Sequence, residues 1–213
     1  MPTYCNIVAR RGRITVLAGA ITCPAGGITC GMSGHSSAVS GIPSGALGPG
    51  RSTRVRRLPE RARYARAEIE AILDEGFVCH LGYLEGGRPA VLPTIYVRTG
   101  DVLYLHGAPG NRSLRSAAGA PACVSVSLLD GLVLARSWFH HSVNYRSVVA
   151  FGQAHEVRDR EEKCEALRHI VDHVVPGRSG EARPPSEAEL VKTRLVRFEI
   201  AEASAKVRTG GPG

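Results

Sequence analysis

The chain has 213 residues, 43% of them apolar, and carries 27 Lys and Arg against 19 Asp and Glu. That allows one ordinary domain or two small ones with a real core, and no apolar run reaches the roughly 20 residues a membrane-spanning helix needs. The net charge of +8 favours anionic partners, but it is spread along the chain without a basic helix or interleaved surface aromatics. Nucleic acid is therefore not an expected partner, and a phosphate-bearing small molecule is.

The first 50 residues contain no Asp or Glu, hold ten of the 25 glycines, and have Tyr4 as their only aromatic residue. Such a stretch cannot bury enough apolar area to offset its ordering entropy. It reads as a disordered extension, or as residues upstream of the true start. Ile14 to Ile21 lies behind Arg10, Arg11 and Arg13 and loosely imitates a secretion signal, but its apolar core is short and no small-residue cleavage site follows. The folded domain is placed at residues 51–213.

Ala67 to Glu75 puts Ile69, Ile72 and Leu73 on one helical face, with Gly76 as the stop. Phe77 to Leu84 is strand-like and ends at Glu85-Gly86-Gly87, a hairpin signal. Arg88 to Arg98 continues as a strand containing Pro93, which implies an edge, a bulge or a departure toward a ligand, because proline cannot donate to a ladder. After a turn at Thr99-Gly100-Asp101, Val102 to His106 is a third strand, broken by Gly107 to Gly110 before a short helix over Asn111 to Ala118. Strands are expected at Cys123 to Leu129 and Leu132 to Trp138, joined by a tight turn at Asp130-Gly131, and another at Tyr145 to Val157. A helix over Asp159 to Val174 carries Leu167, Ile170, Val171 and Val174 as its stripe. Residues 176–188 read as a surface loop, and Leu190 to Ala203 as a last long strand. Closely spaced strands with few helices predict a mainly β barrel or sandwich.

Three stretches could carry chemistry. In Leu103 to Ser116, a strand empties through a glycine-rich bend into a helix whose first turn holds Asn111, Arg112 and Ser113. A helix start favours an anion and arginine offers a forked, permanent charge; the other reading is an ordinary Asn111 cap beside a solvated arginine. His106 ends the strand before that bend, where it serves either as an acid–base or hydrogen-bonding group or as a structural residue. Ser142 to Ser147 is polar and is either a hydrogen-bonding wall against a ring or a second subunit, or a turn into a strand. His140 and His141 are adjacent and point to opposite faces of a strand, so no metal is assigned there. The six cysteines, Cys5, Cys23, Cys30, Cys79, Cys123 and Cys164, show no zinc spacing, and a reducing, cytoplasmic location accounts for them.

Taken in order, YLHGAPGNRSLR, HSVNYRSVVAFGQAHEV and EASAKVRTGGP resemble the flavin-nucleotide-binding branch of the pyridoxamine 5′-phosphate oxidase-like superfamily, which is similar to the nitroimidazole-resistance proteins. The likeness covers about residues 54 to 212. It implies a homodimer of split β-barrels with FMN, or less often FAD, in a groove between subunits, and a small-molecule substrate. Carried over by position, Pro93, Thr94 and Ile95 would line the flavin ring and ribityl chain. His106 and Gly107 would sit beside the flavin, with His106 as the functional residue, and Asn111 and Arg112 would hold the phosphate. Arg146 and Ser147 match a strand that reaches the cofactor. The oxidases proper carry a Ser-Arg-Lys run at the phosphate helix; here it is Asn111-Arg112-Ser113, which speaks against vitamin B6 oxidation. The resemblance therefore implies an FMN-dependent oxidoreductase, with a flavin carrier or a haem protein using His106 as alternatives.

Overall fold

A computed structural model describes residues 8–10, 13–15 and 47–211. Within the unit Met1–Ile42, β1 (Val8–Arg10) pairs antiparallel with β2 (Arg13–Thr15). The other unit, Pro43–Gly213, carries the barrel. The expectation for residues 1–50 falls mostly outside the described residues.

In the larger unit a two-residue strand, β3 (Ala62–Arg63), precedes α1 (Arg66–Glu75). Helix α1 buries Ile69, Ile72 and Leu73, as their spacing predicts. It stops at Gly76, where a Cβ would meet Val126 Cγ1 at 2.7 Å and Tyr96 Oη at 2.8 Å. Next, β4 (Val78–Glu85) and β5 (Arg88–Thr99) form a hairpin through Gly86-Gly87. Both glycines take positive φ (56° and 77°), the conformation a two-residue hairpin turn demands. A second tight turn at Gly100-Asp101 leads to β6 (Val102–Gly107) and then to α2 (Arg112–Ala117).

Strand β7 runs without a break over Pro121–Val133, and β8 covers Ser142–Glu156. This corrects the expected turn at Asp130-Gly131: the ladder between β7 and β8 shifts register between Leu129 and Gly131, so Asp130 is a bulge residue within one strand. The reversal comes later, at 134–141. Helix α3 (Arg160–Val174) starts at an Asp159 cap, and two short helices, α4 (Arg178–Glu181) and α5 (Glu187–Val191), occupy much of the expected loop. Leu190 is a buried residue of α5, and the last strand, β9, is Arg194–Arg208.

The sheet order is β3-β9-β6-β5-β4-β7-β8, and β8 also pairs with β9, closing a barrel. Strand β9 makes this possible through its length: its first half pairs with β6, Ala205 and Lys206 pair with β3, and nearly all of it pairs with β8. Inside lie Tyr96, Phe198, Leu81, Leu103, Leu105 and Val124, among other fully buried side chains. A smaller cluster of Val97, Val157, Ala166, Ile170 and Leu195 sits outside the barrel, beneath α3. Of the expected α3 stripe, Ile170 is buried and Leu167 packs against this cluster, whereas Val171 and Val174 stay exposed.

Candidate functional site

The barrel is open at one seam. Residues 96–99 of β5 pair with residues 102–105 of β6, but beyond Tyr96 and Leu105 the two strands part. From Arg88 to Ile95, β5 is laddered only to β4, so Pro93 sits on an edge, one of the settings its missing N–H calls for. Helix α2 packs against β4 and β8 and buries Leu114 and Ala117 fully. The parting strands leave Pro93, Thr94 and Ile95 on one side of the seam and His106 and Gly107 on the other, while Asn111 and Arg112 follow at the start of α2, beside Glu85 at the end of β4.

Close packing shapes the second wall. A Cβ on Gly107 would come within 2.9 Å of Asn111 Nδ2 and 3.0 Å of Leu114 Cδ1, so glycine lets the bend fold tightly onto α2. The Asn111 side chain accepts from the Leu114 amide at 3.1 Å and caps the helix. Arg112 Nε pairs with Glu85 Oε1 at 2.7 Å, while its side chain remains 70% exposed. Ser116 also donates to Glu85, at 3.3 Å. Arg112 is thus exposed on most of its side chain and paired with a carboxylate at the end of β4, where Glu85 faces Arg88, five residues along β5 from Pro93.

Arg146 and Ser147 lie elsewhere in the chain's own fold. In the β8–β9 ladder Ser147 faces Lys206, whereas His106 faces Leu195 in the β6–β9 ladder. Lys206 is eleven residues beyond Leu195 on β9, an along-strand path of at most about 36 Å at 3.3 Å per residue. Arg146 reaches the end of α1 and the bulge at once, donating to Glu75 at 2.5 and 2.8 Å and to Asp130 at 2.8 and 3.0 Å. These carboxylates raise its pKa above the ordinary arginine value. Ser147 Oγ donates to the Lys206 carbonyl at 3.4 Å.

His106 has a second environment. Leu103 and Leu105 point into the barrel, so Tyr104 and His106, alternate with them, point outward beneath α3. Tyr104 donates to Glu162 at 2.9 Å, and burial together with this carboxylate pushes its hydroxyl up to about 12. His106 Nδ1 is buried and has no hydrogen-bond partner. Burial lowers the His106 pKa, which favours the neutral imidazole. The ring borders a cavity of about 620 Å³ whose walls include Cys164, Leu167, Ile170, Val171 and Pro184. Arg168 and Arg183 border it too, paired with Glu165 and Glu189. Sequence reasoning missed this chamber, because its outer wall comes from the segment read as a loop.

The outer face of the sheet is unusually apolar. Val78, Leu84, Val91 and Ile95 are exposed on the β4–β5 hairpin, with Leu129 and Val149 on β7 and β8. Register places these strands side by side in the order β5, β4, β7, β8. Among the described residues no group of three or more His, Cys, Asp or Glu converges on a possible metal position.

Residues 65–207 match a family profile described as pyridoxamine 5′-phosphate oxidase. The structure is similar to that of the flavocytochrome Anf3 from Azotobacter vinelandii, with 40% sequence identity, a TM-score of 0.72, and coverage of 79% of this chain and 78% of that one. It is also similar to a FAD and heme binding protein from Mycobacterium smegmatis, with 34% identity, a TM-score of 0.68, and coverage of 72% and 76%. A candidate 5-nitroimidazole antibiotic resistance protein from Bacteroides thetaiotaomicron shares the fold at 23% identity and a TM-score of 0.57, over 68% of this chain and 86% of that one. No curated protein matches the chain in a sequence comparison.

Proposed function

Because the chain belongs to the pyridoxamine 5′-phosphate oxidase family, we propose that it is a flavin-dependent oxidoreductase acting on a small aromatic or nitro-containing compound. The observation that carries this reading is the open seam. Pro93 to Ile95 offer an unladdered strand edge for a ring to lie against, and Arg112, at the start of the helix that follows β6, keeps most of its side chain exposed. The close-packed Gly107 bend holds Asn111 and Arg112 at that wall. Bound flavin supplies the redox chemistry, and the protein orients the ring, holds the phosphate and excludes water. FAD is favoured over FMN by the ligand for which the Mycobacterium smegmatis relative is described.

The working unit is a homodimer. Arg146 and Ser147 stand too far along β8 to meet the cleft of their own subunit, and the apolar β5-β4-β7-β8 face is of the kind a second copy covers. A cytoplasmic protein acting on a small molecule, without nucleic acid, completes the proposal. Steady-state turnover with a nicotinamide donor and a nitroaromatic acceptor tests the enzyme assignment. Flavin-loaded dimer without turnover would leave a carrier role in its place.

A second reading adds haem, and the buried, unpartnered His106 Nδ1 at a 620 Å³ chamber favours it. A neutral imidazole there suits a metal-centred macrocycle, and two relatives above 30% identity are described as a flavocytochrome and a FAD and heme binding protein. His106 would be the ligand and α3 the cover; haem, when bound, supplies one-electron chemistry beside the flavin. Loss of a Soret band in His106→Ala with flavin content retained supports this reading, and a purified protein without such a band after growth with haem precursor contradicts it.

A further inference from the structure

The segment that leads into the barrel, residues 51–57, carries arginines that its own subunit does not match. Arg51, Arg54, Arg56 and Arg57 are all exposed, and none makes an ion pair among the described residues, whereas Arg98, Arg146, Arg168 and Arg183 are matched to carboxylates. The acids that follow in the chain are already engaged, Glu60 with Arg61 and Glu68 with Arg63. Tethers fix the segment in place: Thr53 is buried and donates to Glu202 at 3.1 Å, and the Val55 amide donates to Tyr64 at 3.0 Å. An anchored run of uncompensated positive charge is suited to an anion.

Register puts the end of this segment beside Ser147. Lys206 Nζ donates to the Arg57 carbonyl at 3.1 Å, and Lys206 faces Ser147 across the β8–β9 ladder. Both side chains point out of the barrel, because Val148 and Ala205, which alternate with them and face each other, are buried in its core. Lys206 also faces Ala62 of β3, which follows shortly after Arg57 in the chain. Ser147 is a residue that the homodimer reading gives to the partner's seam. In such a dimer Arg57 and its neighbours approach that seam from the same subunit and the same side as Ser147.

We propose that Arg54, Arg56 and Arg57 of each subunit hold the adenylate phosphate of FAD bound at the partner's seam, and so select FAD over FMN. The inference rests on the homodimeric flavin reading above. The two flavins share the ring, the ribityl chain and the first phosphate, and FAD adds a second phosphate and adenosine beyond it. Arg112, on the subunit whose seam takes the ring, is a single guanidinium and serves the first phosphate. The second lies farther from the ring and needs a cation of its own, for which an unpaired arginine has the right fork and charge. Two-fold symmetry makes the arrangement reciprocal, each subunit giving its arginines to the other's flavin.

Fluorescence titration of the full-length apoprotein with FMN and with FAD provides the test. In Arg54→Gln/Arg56→Gln/Arg57→Gln the Kd for FAD should rise about tenfold or more while that for FMN moves by less than about twofold, at an unchanged melting temperature. Mixed dimers of this variant with Arg112→Ala, purified through a different tag on each subunit, show which subunit the arginines serve. The seam of the triple-variant subunit keeps its own Arg112 and receives its partner's arginines, so each mixed dimer should regain one tight FAD site. Arginines acting within their own subunit would restore none. Unchanged FAD affinity in the triple variant overturns the proposal, as does equal weakening of FMN and FAD, or a mixed dimer without a tight site. Those results leave the seam reading standing, because the wild-type protein still binds flavin. A wild-type protein that takes up neither flavin removes both.

Discussion

Truncation of Arg112 to alanine separates a cofactor-binding arginine from a solvated one. Its only partner among the described residues, Glu85, is 26% exposed against 70% for Arg112 itself, and pairs of this kind contribute about 0.2–1 kcal/mol. A charge-assisted bond to a flavin phosphate contributes about 1.5–3 kcal/mol. Exchanging one for the other leaves a net of about 0.5–2.8 kcal/mol, so Arg112→Ala should raise the flavin Kd about 2- to 100-fold. Glu85→Gln removes the competitor and should tighten binding by up to about fivefold, and it should have a smaller effect in the Arg112→Ala background. Titration of the apoprotein into flavin, followed by quenching of flavin fluorescence, reads all four combinations. An Arg112→Ala protein with intact secondary structure and unchanged Kd would falsify the phosphate assignment.

Three further outcomes follow from the geometry. Burial holds the His106 pKa below its ordinary 6.5, so on acidification the unfolded chain takes up this proton first and stability falls as pH drops below about 6.5; melting curves at pH 7.5 and 5.5 should show a drop that His106→Gln partly removes, and an identical drop in both proteins refutes the assignment. Arg146→Ala removes the guanidinium that Glu75 and Asp130 share and should cost about 1–2 kcal/mol, or a melting temperature lower by about 2–8 °C. If that variant instead melts normally but loses flavin, Arg146 serves the cofactor and not the barrel end. Val91→Asp places a carboxylate on the exposed apolar face and should shift the protein to monomer and empty it of flavin together, as read by light scattering and absorbance; a dimer of unchanged mass shows that another face is used.

Much of the barrel was legible because local chemistry and long-range packing agree. Gly86-Gly87 forces a left-handed turn whatever surrounds it, and Ile69, Ile72 and Leu73 form a helical face at a spacing only a helix uses. Asp130-Gly131 misled for a definite reason: the pair that makes a tight turn also makes a bulge, and Arg146, which claims the Asp130 carboxylate, comes sixteen residues later. The helix at 187–191 announced itself through Ser186 and Glu189, which form a reciprocal capping box, yet proline and glycine nearby hid it. The outward direction of His106 was implicit in its alternation with Leu103 and Leu105. What no local pattern reveals is the chamber beneath α3, since it needs β6, α3 and the 179–189 segment in place together.

The absorption spectrum of the purified protein, with its cofactor released and identified, bears most directly on the claim that the open seam holds a flavin. The account predicts a yellow protein with flavin bands at about one flavin per chain, depleted in Arg112→Ala. A colourless protein that takes up neither FMN nor FAD on reconstitution would contradict it.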